Sequence, residues 1–171
     1  HIAFAAGLRV SELISLCLDD VTWTPHPCVR VMGKGRRERV LPLWNVTARA
    51  IRQWLAIRGG VPGLELFVSA RGGRLTRAGF EHILRKHVKV AELVQPSIAR
   101  KRVSPHVLRH TCAMHTLRAT HDVRKVALWL GHATMQSTEM YLRADPEAEL
   151  EALASGVAPT LRKGRFTTPD A

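Results

Sequence analysis

Strand-forming residues are confined to one short stretch of this chain, and that confinement restricts the fold more than any other feature. Residues 21–23 (VTW), 29–32 (VRVM) and 36–43 (RRERVLPL) are rich in β-branched and aromatic side chains, and Gly33-Lys34-Gly35 separates the last two. Glycines around a polar residue between two such runs are a hairpin signal. The three runs therefore predict one small antiparallel sheet. Pro42 falls near its end, where a missing N–H costs least.

Everywhere else the punctuation is helical. Residues 2–6 (IAFAA) read as the end of a buried helix closed at Gly7. Ser11 is expected to cap a helix over 12–19, with Leu13, Leu16 and Cys17 on one face. Asn45 is expected to cap 46–58, with Ile51, Trp54 and Leu55 inward. Thr76 opens a helix that runs to Val94. Ser104 and Pro105 open another, to about Arg118, because proline suits the first helical turn. Asp122 caps 123–130, and Gly131 closes it. A short helix near 138–142 carries Tyr141, and Pro146 opens a last one over 147–154. Residues 64–68 (LELFV) fit a strand or a turn equally well. The expected class is α+β, mainly helical, with a small three-stranded antiparallel sheet. Residues 1–156 form one domain, and 157–171 a flexible or docking tail. His1 is not a natural start and an apolar stretch begins at Ile2, so the chain reads as a fragment whose upstream part is absent.

Charge points to the partner. The 26 Lys+Arg against 14 Asp+Glu give a formal net charge of +12, which attracts polyanions, with nucleic acid the commonest. The cysteines Cys17, Cys28 and Cys112 are odd in number and widely spaced. That argues against a disulfide scaffold or zinc ribbon and for a reducing compartment. No run of 18 apolar residues and no signal peptide is legible. A cytoplasmic location is expected, with no membrane partner.

Four groups of residues could carry chemistry. Tyr141 is the single tyrosine of the chain and lies in a polar segment, ATMQSTEMYL. A phenol has a pKa of about 10 and needs help to act as a nucleophile; a lone tyrosine is more often a packing residue. In HVLRH, His106 shares a helix face with Arg109 and His110. Val107 and Leu108 imply partial burial, and a partly buried arginine needs an anion. His110 fits a core or supporting role. In GLRVSEL, Arg9 stands at the mouth of a helix, where an anion would feel both the guanidinium and the helix N-terminus. Glu12, in the first turn, fits simple dipole complementarity. Lys34, between two glycines, is either a solubilising turn lysine or one that swings into a groove to deliver a proton.

GLRVSEL, GKGRRERVLPL, HVLRHTCA and LGHATMQSTEMY occur in this order. Together they resemble the catalytic domain of the tyrosine recombinase (phage integrase) family over about residues 3–150. One such motif is weak; four in order, with the glycine of GH 22 residues after Arg109 and a tyrosine nine beyond His132, are specific. The resemblance implies that Arg9 and Arg109 clamp a phosphate, that Lys34 is a general acid, and that His106 is an acid/base helper. It implies a second phosphate donor at His132 and a nucleophile at Tyr141, with Glu12 supporting the first arginine. It also implies double-stranded DNA as partner, a tetramer on paired sites, and no metal, ATP or other cofactor. Arg36, Arg37, Arg39, Arg71, Arg74, Arg77, Arg100, Lys101 and Arg102 are candidate DNA-backbone contacts. Other readings stay open at this stage. One is a metal-dependent hydrolase using His106 and His110, although Arg109 between them would repel a cation. Another is a non-catalytic DNA-binding module, and a third a type IB topoisomerase.

Overall fold

The computed structural model describes residues 1–33, 35, 37–132 and 138. In chain order they form α1 (Ile2–Ala5), α2 (Val10–Ile14), a 3-10 turn (Leu18–Asp20), β1 (Val21–Thr22), β2 (Cys28–Met32) and β3 (Glu38–Pro42). Then follow α3 (Asn45–Arg58), α4 (Arg77–Val94), a 3-10 turn (Pro96–Arg100), α5 (Pro105–Thr120) and α6 (Val123–Leu130). The architecture is mainly helical with one small sheet, α+β in class.

The sheet is antiparallel in the order β1-β2-β3. Its register pairs Val29 with Val21 on one side and Leu41 on the other, and Val31 with Arg39. Side chains alternate across a strand, so Val29, Val31 and Leu41 face inward and are buried. They form one cluster with Leu13, Leu16, Leu43, Ala48, Ile51 and Leu66. The same alternation turns Val40 out to solvent and Arg39 in.

A second, smaller cluster joins α5 to α6 through Ala113, Leu117, Val126 and Leu130. It meets the first along α1, where Trp129 Nε1 donates to Ala5 O at 3.2 Å. The turn after α1 must be glycine. Gly7 has φ +55°, and a Cβ there would lie 2.5 Å from Leu130 Cδ2.

Three expected caps form. Thr76 Oγ1 accepts from Gly79 N, Ser104 Oγ from Val107 N, and an Asp122 carboxylate oxygen from Arg124 N and Lys125 N. Two expectations are corrected. Ser11 lies inside α2 rather than capping it, and that helix spans Val10–Ile14 instead of 12–19; the cap position belongs to Arg9, whose N–H donates to the Glu12 carboxylate at 2.9 Å. Asn45 is the first residue of α3, with Trp44 at the cap position. Residues 64–68 make no strand, only the isolated bridges Cys17–Glu65 and Val68–Arg74, with Leu66 in the core. α5 continues two residues past Arg118 and ends at His121 in the left-handed region, φ 49°. The helices expected near 138–142 and over 147–154, and the tail 157–171, lie outside the described residues apart from Thr138.

Candidate active site

Glu12 organises the centre of the site. It is buried, at 4% exposure, and three guanidinium groups surround its carboxylate. Arg9 Nη1 donates to Oε1 at 2.9 Å. Arg39 approaches from β3 with two bonds, Nη1 to Oε1 at 3.2 Å and Nη2 to Oε2 at 2.8 Å. Arg109 Nη1 stands 3.8 Å from Oε2. Burial alone would raise the Glu12 carboxyl, but the hydrogen bonds from Arg39 and Arg9 and the Arg39 charge outweigh it and hold the group below its ordinary range. Glu12 is therefore ionised at neutral pH, and three guanidiniums against one carboxylate leave two positive charges in excess. A site of that charge is suited to an anion.

The two arginines expected to bind phosphate are held in different ways. Arg9 keeps 39% of its side chain exposed beside its partner carboxylate. Arg109 is 7% exposed and oriented chiefly by backbone oxygens. Its Nη1 donates to Gly7 O at 2.6 Å and its Nη2 to Leu130 O at 2.8 Å. Those carbonyls belong to the turn after α1 and to the last residue of α6. Arg109 thus joins three segments that are distant in sequence.

His132 follows the left-handed Gly131 that ends α6. Its N–H donates to Ala127 O at 3.0 Å, and its Nδ1 lies 2.8 Å from Thr138 Oγ1. Burial first, then the charges of Arg109, Arg9 and Arg39, push its pKa down to about 4. The ring is neutral at physiological pH. Arg39 packs beneath this turn, where its Nε donates to Trp129 O at 3.1 Å, and a Cβ on Gly131 would lie 2.9 Å from Arg39 Nη1.

These groups open on a single cleft of about 630 Å³. Arg9, His106, Arg109 and His132 all line it, with Ser11, Arg77, Glu81, Ser104 and Pro105 completing the wall. His106 is exposed at the start of α5, one turn above Arg109. His110 is half-buried on the same helix and does not line the cleft. The hairpin begins at the site as well: a Cβ on Gly33 would lie 3.7 Å from Glu12 Oε1. Lys34, Arg36 and Tyr141 lie outside the described residues.

Among the expected DNA-backbone contacts, Arg37, Arg71, Arg74, Arg77, Arg100, Lys101 and Arg102 are exposed. Arg74 also donates through Nε to Ile14 O. Arg102 shares a second hollow with Glu81, Arg85 and Ser104, beside the main cleft. Arg39 departs from the expectation. Its side chain is 9% exposed and its donors go to Glu12 and Trp129 O, so it braces the site from within. The signal was present in β3, because Leu41 inward obliges Arg39 inward two residues earlier. Thr138 was not singled out from the sequence at all.

A three-stranded sheet against short helices, closed by an α5–α6 pair, with two arginines and two histidines around one cationic cleft, defines a tyrosine recombinase catalytic domain. Residues 1–148 match the phage integrase family. The chain belongs to that family. Tyrosine recombinase XerC of Corynebacterium efficiens is 38% identical over 154 residues, covering 89% of this chain and 47% of that protein. The crystal structure of XerA recombinase superposes with a TM-score of 0.77 at 30% identity, covering 92% of this chain and 57% of that one. XerH site-specific recombinase bound to palindromic difH substrate, in a post-cleavage complex, superposes with a TM-score of 0.69 at 27% identity, covering 90% and 43%. The chain spans about half the length of the curated relatives it matches.

Proposed function

We propose that residues 1–156 act as the catalytic domain of a site-specific DNA recombinase, cleaving and rejoining duplex DNA through a 3′-phosphotyrosyl link at Tyr141. One observation carries this reading: Arg9, Arg109, His106 and His132 line the same cleft, with excess positive charge and a buried carboxylate fixing the guanidiniums. A phosphodiester in that cleft gains charge on its non-bridging oxygens as it is attacked. Donors already in place meet that charge with little reorganisation, and each such donor is worth about 10²–10³ in rate.

In this scheme the phenol oxygen of Tyr141 attacks phosphorus and the bond from phosphorus to the 5′ oxygen breaks. His106 takes the phenol proton, and Lys34 gives one to the departing 5′ oxygen. Arg9, Arg109 and His132 hold the phosphoryl oxygens. The covalent link conserves the bond energy, so a second 5′-hydroxyl can reverse the step without ATP or metal. Glu12 positions Arg9, and His110 supports α5. Arg36, Arg37, Arg71, Arg74, Arg77, Arg100, Lys101 and Arg102 contact the backbone of double-stranded DNA. The active assembly is a homotetramer on paired sites in the cytoplasm. The solved XerH complex with difH substrate, a relative in fold and sequence, supports the DNA partner.

The test uses the full-length protein and a library of nicked duplexes cut from the host genome. A protein–DNA adduct stable in SDS is expected, mapping to Tyr141 and lost in Tyr141→Phe. No adduct from any duplex, or one that survives Tyr141→Phe, overturns the reading.

A further inference from the structure

Glu12 poses a problem for the cleft it organises. Its carboxylate is buried, ionised and bonded to Arg9. Such a carboxylate competes with a phosphodiester for a guanidinium, and the favoured pairing is two-pronged, two nitrogens on two oxygens. An Arg9 held in that way would present little charge to an incoming phosphate.

Arg39 occupies the carboxylate instead. Its Nη1 donates to Oε1 at 3.2 Å and its Nη2 to Oε2 at 2.8 Å, so the fork spans both oxygens. Its Nε donates to Trp129 O at 3.1 Å. All three nitrogens therefore act inside the protein, and the side chain is 9% exposed. Arg9 has one guanidinium bond to the carboxylate, Nη1 to Oε1 at 2.9 Å, and keeps 39% of its side chain exposed. Among the described residues it is Arg9, not Arg39, that lines the cleft. The Glu12 carboxyl reflects the same division. Burial raises it, and the bond from Arg39 leads the influences that bring it down, ahead of the bonds from Arg9.

We infer that Arg39 is a positioning residue for strand cleavage, whose charge and two-pronged grip satisfy the Glu12 carboxylate and so leave Arg9 tethered by one nitrogen, with its charge open to phosphate. This rests on the phosphoryl-transfer reading above and adds to it the group that stops the buried carboxylate from competing with DNA for the clamp. Arg39 touches no reacting atom. It acts on Arg9 through Glu12. A plain tether needs no charge: a neutral side chain donating to Glu12 or to Trp129 O would still tie β3 to α2 and α6.

Two measurements test it. The first uses the full-length wild type without DNA. Nitrogen-resolved NMR of the arginine side chains reads rotation about the Cζ–Nε bond. A two-pronged grip hinders that rotation and separates the Nη signals; a single bond leaves them averaged. Separate signals are expected for Arg39 and averaged ones for Arg9, and any other pattern overturns the proposal. The second measurement is single-turnover cleavage of a nicked duplex, expressed per folded molecule. Arg39→Gln keeps a hydrogen-bond donor and removes the charge, and is expected to slow cleavage about tenfold or more. Arg39→Lys restores the charge and is expected to cleave faster than Arg39→Gln. Adding Glu12→Gln to Arg39→Gln removes the competing charge and is expected to return part of the rate. Arg39→Gln at the wild-type rate overturns the proposal, as does Arg39→Lys or the double variant cleaving no faster than Arg39→Gln; each outcome leaves Arg39 a tether only. If Arg39→Gln does not fold, the wild-type spectrum decides. Failure of the wild type to form any adduct would count against the recombinase reading instead, and the spectrum would still decide how Glu12 is shared.

Discussion

Val29, Val31 and Leu41 of the sheet sit in one apolar cluster with Leu13, Leu16, Leu43, Ala48, Ile51 and Leu66, whereas among the described residues α5 and α6 bury the smaller set Ala113, Leu117, Val126 and Leu130, with Met114 and Trp129 against it. Each fully buried aliphatic side chain is worth about 1.5–3 kcal/mol, so the sheet half has an ample hydrophobic reserve and the α5–α6 half a thin one. Beyond Trp129, which packs against both clusters, the thin half is attached by polar contacts: Arg109 to Gly7 O and Leu130 O, Arg39 to Trp129 O, and both arginines around Glu12. The groups that dock α5–α6 are the groups that line or brace the cleft. In the sheet half stability and chemistry are separate properties, and in the α5–α6 half they are the same contacts.

The sharpest way to break that contrast is Arg109→Met, which keeps length and removes the charge. Two carbonyls lose their donor, and a buried partner lost in this way costs about 3–5 kcal/mol. In the same variant, covalent cleavage falls about 10²–10³. Denaturant titration and single-turnover cleavage should therefore drop together; an unchanged midpoint would refute the shared role. Leu66→Ala is the counterpart in the sheet half. It should cost about 2–5 kcal/mol and leave the cleavage rate per folded molecule as it was.

A smaller effect is expected at Gly131→Ala. The residue has φ +63°, and its new Cβ would lie 2.9 Å from Arg39 Nη1. Left-handed strain costs roughly 1–2 kcal/mol before any displacement of Arg39. Hydrogen exchange should then report earlier opening of α5 and α6 than of β2 and β3.

Acid should separate the halves without mutation. His132 titrates near 4 when folded and at 6.5 ordinarily. As pH falls through that window the unfolded chain binds a proton that the folded site refuses, so stability declines. Glu12 adds a second decline: its contribution is present above the ordinary carboxylate pKa and is lost as pH falls through its lower folded value. Denaturation midpoints measured from pH 7 downward should show both, and His132→Asn should flatten the upper one. The smallest effect belongs to Ser104→Ala, which removes the bond to Val107 N. Such a cap costs about 1 kcal/mol, visible in the denaturation midpoint.

Local signals were legible where they acted alone. Thr76, Ser104 and Asp122 each cap the helix expected of them, because a short side-chain oxygen before a helix has one obvious donor to satisfy. Ser11 failed for a reason outside its own sequence neighbourhood. The Glu12 carboxylate, drawn inward by Arg39 of β3, takes the Arg9 N–H and moves the helix start two residues earlier. Glu12 itself looked like a dipole-complementing surface residue, since nothing near it in sequence shows that three arginines converge on it. The gathering of Arg9, His106, Arg109 and His132 on one cleft was expected from four ordered motifs. Arg39 was read as a DNA-backbone contact and Thr138 was not singled out, because the partners that hold them lie 27 and 6 residues away.

Arg39 also ties three separate segments into one joint. From β3 its guanidinium holds Glu12 of α2 and the Trp129 carbonyl near the end of α6 at once. Any shift of that strand is therefore passed both to the carboxylate that fixes Arg9 and to the turn that carries His132.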